Sequence, residues 1–240
     1  MHLTSPLLAA VPGVLHGFGG AREGMPAPFA VRFPRDFPRW KQVHGAHAVE
    51  VVAPHQEAGE CDALWTRGAD LPIAVIGADC TPILVAREDG AVVGAVHSGW
   101  RGTRARILEA LFARLRAAGE DPSRYVAAIG PAIGKCCYEV SEDLAADFAR
   151  EFAEAGPGVA VPAHRRLDLA ALAAHQLRRA GVERIDVLAP CTRCAVDGSG
   201  AHLYHSYRRE GRGPQQYAAV ARRPGSGPES ALESAPERAC

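Results

Sequence analysis

GADCTPILVAREDGAVVGAVHSGWRG, residues 77–102, holds two short apolar runs, Pro82 to Ala86 and Ala91 to Val96, each β-branched and bounded by Gly, Pro or Asp. That pattern predicts two buried strands joined by the acidic turn Arg87-Glu88-Asp89-Gly90. Asp79-Cys80 stands just before the first run, and His97 ends the second. The Gly-rich turn Ser98-Gly99-Trp100-Arg101-Gly102 follows at once. A thiol at the entrance of one strand and an imidazole at the exit of its antiparallel neighbour fall at the same end of the sheet, within reach of each other.

Working outward, 240 residues suffice for one large core, and an α/β domain of this size need not divide. A single domain over residues 1–222 is expected. The following stretch, 223–240, is polar and rich in Pro, Gly and Ser, without a core-forming pattern, and is expected to be disordered. Lys+Arg and Asp+Glu both number 27, so the chain offers no basic footprint for nucleic acid and no polybasic signal for membranes. Small-molecule partners are expected, and the sequence does not fix an oligomeric state. The first residues, MHLTSPLLAAVPGVL, carry no Lys or Arg before the apolar run and are broken by Pro6 and Pro12, a poor signal peptide. No stretch approaches a membrane span. Seven cysteines do not resemble a secreted disulfide framework, and reduced thiols in a cytoplasm fit better.

Residues 1 to 40 read as a loop-rich beginning in which only Val11 to Phe18 resembles a strand. Lys41-Gln42-Val43-His44-Gly45 leads into an apolar run from Ala48 to Ala53, placing His44 at a loop-to-strand junction. Cys61 to Thr66 and Ile73 to Ile76 read as strands. Apolar residues at 107, 108, 111, 112 and 115 predict a helix over Thr103 to Ala118, ended by Gly119. Further on come a strand at Tyr125 to Ile129, a turn at Gly130 to Gly134, and a helix capped by Ser141 and running to about Ala155. Asp168 caps a helix to Ala180, Ile185 to Ala189 is a strand, Leu203 to Tyr207 alternates as a strand would, and Tyr217 to Ala221 is the last strand. No internal repeat or dinucleotide glycine pattern is present.

His44, Cys80 and His97 each adjoin a short strand at a Gly-flanked turn. A thiolate with two imidazoles suits Zn²⁺, and three protein ligands leave a fourth position open, as catalytic sites do. The same Cys80 and His97 could instead form a thiolate–imidazole pair for acyl chemistry, or serve as an ordinary buried thiol and strand caps, because ligands this far apart carry no local signature. Copper is possible at such a set. A blue-copper site wants an axial Met, however, and only Met1 and Met25 exist, without any His-x-His pair for a copper cluster. Cys191-x-x-Cys194 lacks a second CxxC and is followed by loop residues, while Cys136-Cys137 reads as turn or strand positions. Arg101, beside the start of the predicted helix, and Arg208, after the 203–207 run, are candidate anion-binding groups.

These motifs together resemble the family long labelled multicopper polyphenol oxidase or laccase-domain proteins, also described as purine nucleoside phosphorylases. The resemblance rests on Lys41 to Gly45, Asp62-Ala63, Ala78-Asp79-Cys80-x-Pro82 and His97 to Gly102. It continues through Ile129 to Gly134, Tyr138-Glu139-Val140, Leu167 to Leu169, Cys191-Thr192 and Ser206 to Arg209. It implies a three-layer α/β/α domain with mixed sheets and a zinc bound by His44, Cys80 and His97. It further implies phosphorolysis of adenosine, inosine, guanosine and methylthioadenosine, with phosphate as co-substrate, and adenosine deamination in the same site. Cys80, His97 and Asp79 are then the catalytic candidates, with Glu139 a second choice as proton carrier, and Arg101 and Arg208 hold phosphate. A cysteine hydrolase using Cys80 and His97, or a role in peptidoglycan editing, are the alternatives, and copper-dependent phenol oxidation ranks last. The chain departs from the family before residue 41, where only Phe18-Gly19-Gly20-Ala21-Arg22-Glu23-Gly24 echoes its motif, and at Gly211-Arg212-Gly213.

Overall fold

The computed structural model of the chain describes residues 2–224. Its amino-terminal part carries α1 (Pro6–Ala9), β1 (Val14–Phe18), α2 (Ala27–Ala30) and β2 (Arg39–Lys41). Then come β3 (Ala48–Glu50), β4 (Glu57–Glu60), β5 (Ala63–Thr66), β6 (Ile73–Gly77), β7 (Thr81–Arg87) and β8 (Val93–Ser98). Helices α3 (Trp100–Arg104) and α4 (Ile107–Ala117) lead into β9 (Tyr125–Ile129), α5 (Glu142–Glu151), α6 (Leu169–Arg179) and β10 (Arg184–Val187). One helical turn, α7 (Tyr207–Glu210), precedes β11 (Gln216–Arg222).

β7 and β8 pair antiparallel as the opening stretch predicts, Thr81 opposite Ser98 and Pro82 opposite His97. They lie inside a six-stranded sheet of order β10-β9-β7-β8-β5-β3, parallel at both ends and antiparallel within. An antiparallel sheet of order β1-β11-β6 lies against it, and β2 pairs with β4. The class is α/β with mixed sheets, as the resemblance implied. Successive side chains of a strand point to opposite faces, and here both faces are covered, so β7 and β8 read as continuous apolar runs. Ile83, Val85 and Val96 pack under Leu108, Leu111, Phe112 and Leu115 of α4 and Leu177 of α6. Leu84, Ala86, Val93 and Ala95 pack against Ile73, Val75, Ala218 and Val220 of the second sheet. The outer face of that sheet is closed by Met25, Phe29 and Phe37 around Ala74, Ala219 and Ala221. The β layer between the helices is thus double.

Three local expectations need correction. The predicted helix from Thr103 begins earlier, at Trp100, and is two helices, because Arg106 takes a left-handed backbone with φ 59°. The strain is of order 1–2 kcal/mol. It is offset by anchoring: Arg106 lies 4.2 Å over the Phe152 ring, donates to the Glu151 carbonyl at 3.0 Å and pairs with Glu154 at 2.8 Å. Leu203 to Tyr207 is not a strand. Its backbone turns so that Leu203 N–H donates to the Ala195 carbonyl at 3.0 Å, and Ser206 caps α7, which places Arg208 and Arg209 on a helical turn. Residues 1 to 40 hold more structure than their composition indicated, in elements of five residues or fewer, too short to show a period. The caps at Ser141 and Asp168 are where expected, their side chains accepting from Leu144 N–H and Ala171 N–H. The expected disordered tail falls, from residue 225 on, outside the described residues; the Arg223 N–H still donates to the Gly13 carbonyl at 2.7 Å.

Away from the site, the buried Glu120 carboxylate accepts from Arg67 at 2.9 Å, Arg87 at 3.0 Å and the Tyr125 hydroxyl at 2.9 Å. Burial raises its pKa, but these donors outweigh burial and leave it below the usual value. A depressed carboxyl contributes stability above its unfolded pKa of about 4.3 and loses it as the pH falls through the folded value. Glu120→Gln should cost about 2–3 kcal/mol at pH 7 by urea unfolding. The gap from wild type should close toward pH 3, where the wild-type carboxyl is itself neutral.

Candidate metal centre and cleft

Strand register brings the first parts of the centre together. β5 pairs with β8 so that Ala63 opposes Val96, which puts Asp62 beside His97, and the His97 N–H donates to the Asp62 carbonyl at 2.7 Å. The buried Asp62 carboxylate then organises two ligands at once. Its Oδ1 lies 2.8 Å from His97 Nδ1, and its two oxygens accept the backbone N–H groups of Val43, His44 and Gly45 at 3.2, 2.9 and 2.7 Å. Those amides converge because His44 adopts a left-handed backbone with φ 62°. Burial raises the Asp62 pKa, but His97 and the amides of Gly45 and Val43 outweigh it and hold the group as a carboxylate.

Cys80 precedes β7 at the same sheet end. Its Sγ lies 3.8 Å from His44 Nε2, and the rings of His44 and His97 meet edge to face at 4.8 Å. One donor atom from each of His44, Cys80 and His97 lies within 4.8 Å of the other two. Burial raises the thiol pKa, but the two imidazoles bring it down to about 7. Burial likewise lowers His97, and Asp62 and Cys80 overcome it to push the ring up to about 9. The donor set fits a divalent metal. With His97 Nδ1 committed to a carboxylate, the other nitrogen is oriented into the cluster, the carboxylate–histidine arrangement by which metal ligands are held. The three residues predicted as ligands are therefore brought together.

Gly99 makes the close approach possible. A Cβ there would stand 2.8 Å from Cys80 Sγ and 3.0 Å from His44 Cδ2. Gly99→Ala is expected to weaken retention of a divalent metal at this centre at least about tenfold in chelator competition, the scale of displaced supporting groups. Its unfolding midpoint should stay close to wild type.

The cluster opens on a cleft of about 220 Å³ lined by Gln42, Ile76, Gly77, Cys80, His97, Tyr207 and the Gly211–Gln215 segment. Gln42 is locked there, its amide exchanging two hydrogen bonds of 2.7 Å with the Ile76 backbone. A larger apolar cavity of about 440 Å³ shares Ile76 with it but is lined by Phe33, Pro34, Pro38 and Trp40 and none of the three donor residues.

The other predicted site residues are placed differently. Asp79 does not line the cleft: its Oδ1 accepts from the Thr192 hydroxyl at 2.6 Å and its Oδ2 from the Arg208 N–H at 2.7 Å. It braces three segments. Glu139 faces away, toward Arg165 at 3.3 Å and Arg166 at 3.4 Å. The Arg208 guanidinium donates to the Glu139 carbonyl at 2.8 Å and lies 5.4 Å from the Tyr138 ring centre. Arg101 is exposed on α3 and stacks on Trp100 at 4.4 Å. No free helix-start amide at Thr103 exists beside it, since the Thr103 N–H donates to the Gly99 carbonyl at 2.8 Å. Tyr138 has its pKa pushed up to about 12, first by burial and then by Cys80, against the opposing pull of Arg208. Sequence reasoning gave no role to Asp62, Gln42, Tyr138 or Thr192. A signal existed for Asp62, an acidic residue directly before an apolar strand.

Residues 29–222 match the family model described as multi-copper polyphenol oxidoreductase laccase. The chain belongs to this family. Among curated relatives, the purine nucleoside phosphorylase of Deinococcus radiodurans is 38% identical over 178 residues, which are 73% of this chain and 65% of the relative. That of Streptomyces coelicolor is 37% identical over 175 residues, 70% of this chain and 68% of the relative. The chain thus spans about two thirds of the length of the curated relatives it matches. Among solved structures, Neisseria meningitidis protein NMB0706 superposes with a TM-score of 0.74 at 25% identity, covering 93% of this chain and 98% of the other. YlmD from Geobacillus stearothermophilus superposes with a TM-score of 0.73 at 26% identity, covering 91% and 94%. The copper in the family description has no methionine ligand to draw on among the described residues of this member, since Met25 is buried against Phe29 and Phe37. Nor is any described helix long and apolar enough to cross a membrane.

Proposed function

We propose that this family member is a zinc-dependent purine nucleoside phosphorylase whose His44, Cys80 and His97 hold the metal, and that the same site deaminates adenosine. The observation carrying the reading is the convergence of the three donors on one point at the edge of the cleft, under the control of Asp62. The names of the relatives supply the substrate class. Bound there, zinc supplies Lewis acidity at the coordination position that three protein ligands leave open. The remaining work falls to side chains. Arg208, which lies over the Tyr138 ring, and Arg101 on α3 hold the phosphate co-substrate. Asp79 acts as a positioning residue, because both its oxygens are engaged by Thr192 and Arg208. Gln42 and Tyr207 line the space for the nucleoside, and the Gly211-Arg212-Gly213 segment, where the chain departs from its family, forms part of that wall and sets substrate range.

A second reading has an observation of its own. Cys80, His97 and Asp62 stand in the thiol–imidazole–carboxylate order of a cysteine hydrolase, with the thiol brought down to about 7. One assay separates the two. Phosphate-dependent release of adenine from adenosine, abolished by a chelator and restored by zinc, supports the phosphorylase. Acyl-transfer activity that survives chelation and is lost on iodoacetamide labelling of Cys80 supports the hydrolase. A zinc-loaded sample that releases neither adenine nor inosine removes the first reading.

A further inference from the structure

We propose that Cys136, Cys137, Cys191 and Cys194 form a second metal site, a closed tetrathiolate zinc centre that clamps the 134–139 turn to the 190–195 loop. All four sulfurs lie within 4.8 Å of one another, and none is in a disulfide. Tetrahedral zinc with Zn–S bonds of about 2.3 Å requires sulfurs about 3.8 Å apart. Cys136 Sγ and Cys194 Sγ are 3.7 Å apart.

The backbone builds the cluster before any metal arrives. A parallel bridge between Ala132 and Cys191, with Thr192 N–H donating to the Ala132 carbonyl at 2.9 Å, lays the two segments side by side. The Gly134 carbonyl accepts from both Cys137 and Tyr138, curling the vicinal pair toward the CxxC. On the other side, Ala195 N–H donates to the Cys191 carbonyl at 2.9 Å, closing a turn around Cys191 to Cys194. The Gly134 N–H points at Cys191 Sγ from 3.3 Å, a donor that favours the thiolate a metal needs. Gly134 also leaves room, since a Cβ on it would come within 3.4 Å of Cys136 Sγ.

The missing second half of a zinc motif is thus a vicinal pair more than fifty positions upstream, joined by the fold. A redox CxxC would open a helix, whereas Cys191 to Cys194 lies in a turn with no helix after it until Tyr207. Four thiolates close the coordination sphere, so the site is structural and not catalytic. Its place in the fold gives it a task. Thr192, within the CxxC, donates to Asp79, while Arg209 donates to the carbonyls of Thr192 and Arg193 at 3.0 and 2.8 Å, so the clamp holds the segments beneath Arg208. The inference stands whether or not the chain cleaves nucleosides.

Metal analysis of the full chain, purified under reducing conditions and loaded with zinc, tests it. Two zinc ions per chain are expected in wild type, one in Cys191→Ser/Cys194→Ser, and one in His44→Ala. A double-serine variant that keeps the wild-type count would overturn the proposal. Should that variant fail to fold, wild type alone decides. In the native zinc-loaded chain, peptide mapping should find these four thiols protected from iodoacetamide and labelled at least tenfold faster after chelation. Labelling at the same rate with and without zinc, or a bound ion that proves to be iron, would contradict it.

Discussion

Asp62→Asn is expected to strip the metal centre while leaving most of the fold in place. The carboxylate accepts three backbone N–H groups and faces His97 Nδ1. An amide in its place can accept from only part of that set and must turn its own N–H₂ toward another donor. Metal affinity should fall about 10–100-fold, the usual cost of losing a partner behind a metal-bound histidine. Stability should fall by about 1–3 kcal/mol, from buried donors left unpaired. Zinc-buffer titration and urea unfolding of the same samples measure the two. Wild-type zinc affinity in a folded Asp62→Asn chain would show that His44 and His97 do not depend on this bracket.

The largest loss is expected from Cys80→Ala and His44→Ala taken as a pair. If the three side chains share one ion, each substitution leaves two ligands. Both variants should then lose adenosine cleavage by on the order of a thousandfold, as the removal of a principal electrostatic contributor does. The hydrolase reading predicts otherwise. Cys80 and His97 with Asp62 would still act when His44 is gone, so His44→Ala would keep acyl-transfer activity while Cys80→Ala would lose it. Steady-state rates of the two variants, with and without a chelator, distinguish these outcomes.

Which parts of this were readable in the amino-acid sequence follows from how far apart the cooperating residues lie. β7 and β8 are adjacent and both faces are buried, so the two apolar runs and their sheet end were legible, and with them the meeting of Cys80 and His97. His44 was a candidate third ligand from its Gly-flanked position at a strand end, and the resemblance put that reading ahead of strand caps. Spacing alone could not, because its approach depends on a left-handed backbone and three amides gathered by Asp62. The helix pattern from 107 to 115 was legible, but the break before it was not, since the left-handed Arg106 is held by Glu151, Phe152 and Glu154 from another segment. Leu203 to Tyr207 alternates as a strand would, yet its N–H groups donate to the Ala195 carbonyl and to the Gln216 side chain and not to a strand ladder. The four-cysteine cluster escaped for the same reason of distance: each half alone looks like turn residues.

The account rests on one ion bound by two imidazoles and a thiolate at the cleft. Diffraction from crystals of the zinc-loaded chain, recorded just above and just below the zinc absorption edge, tests it most directly. An anomalous peak is predicted within bonding distance of His44, Cys80 and His97, present only above the edge. Crystals from an active sample showing no peak there would contradict it.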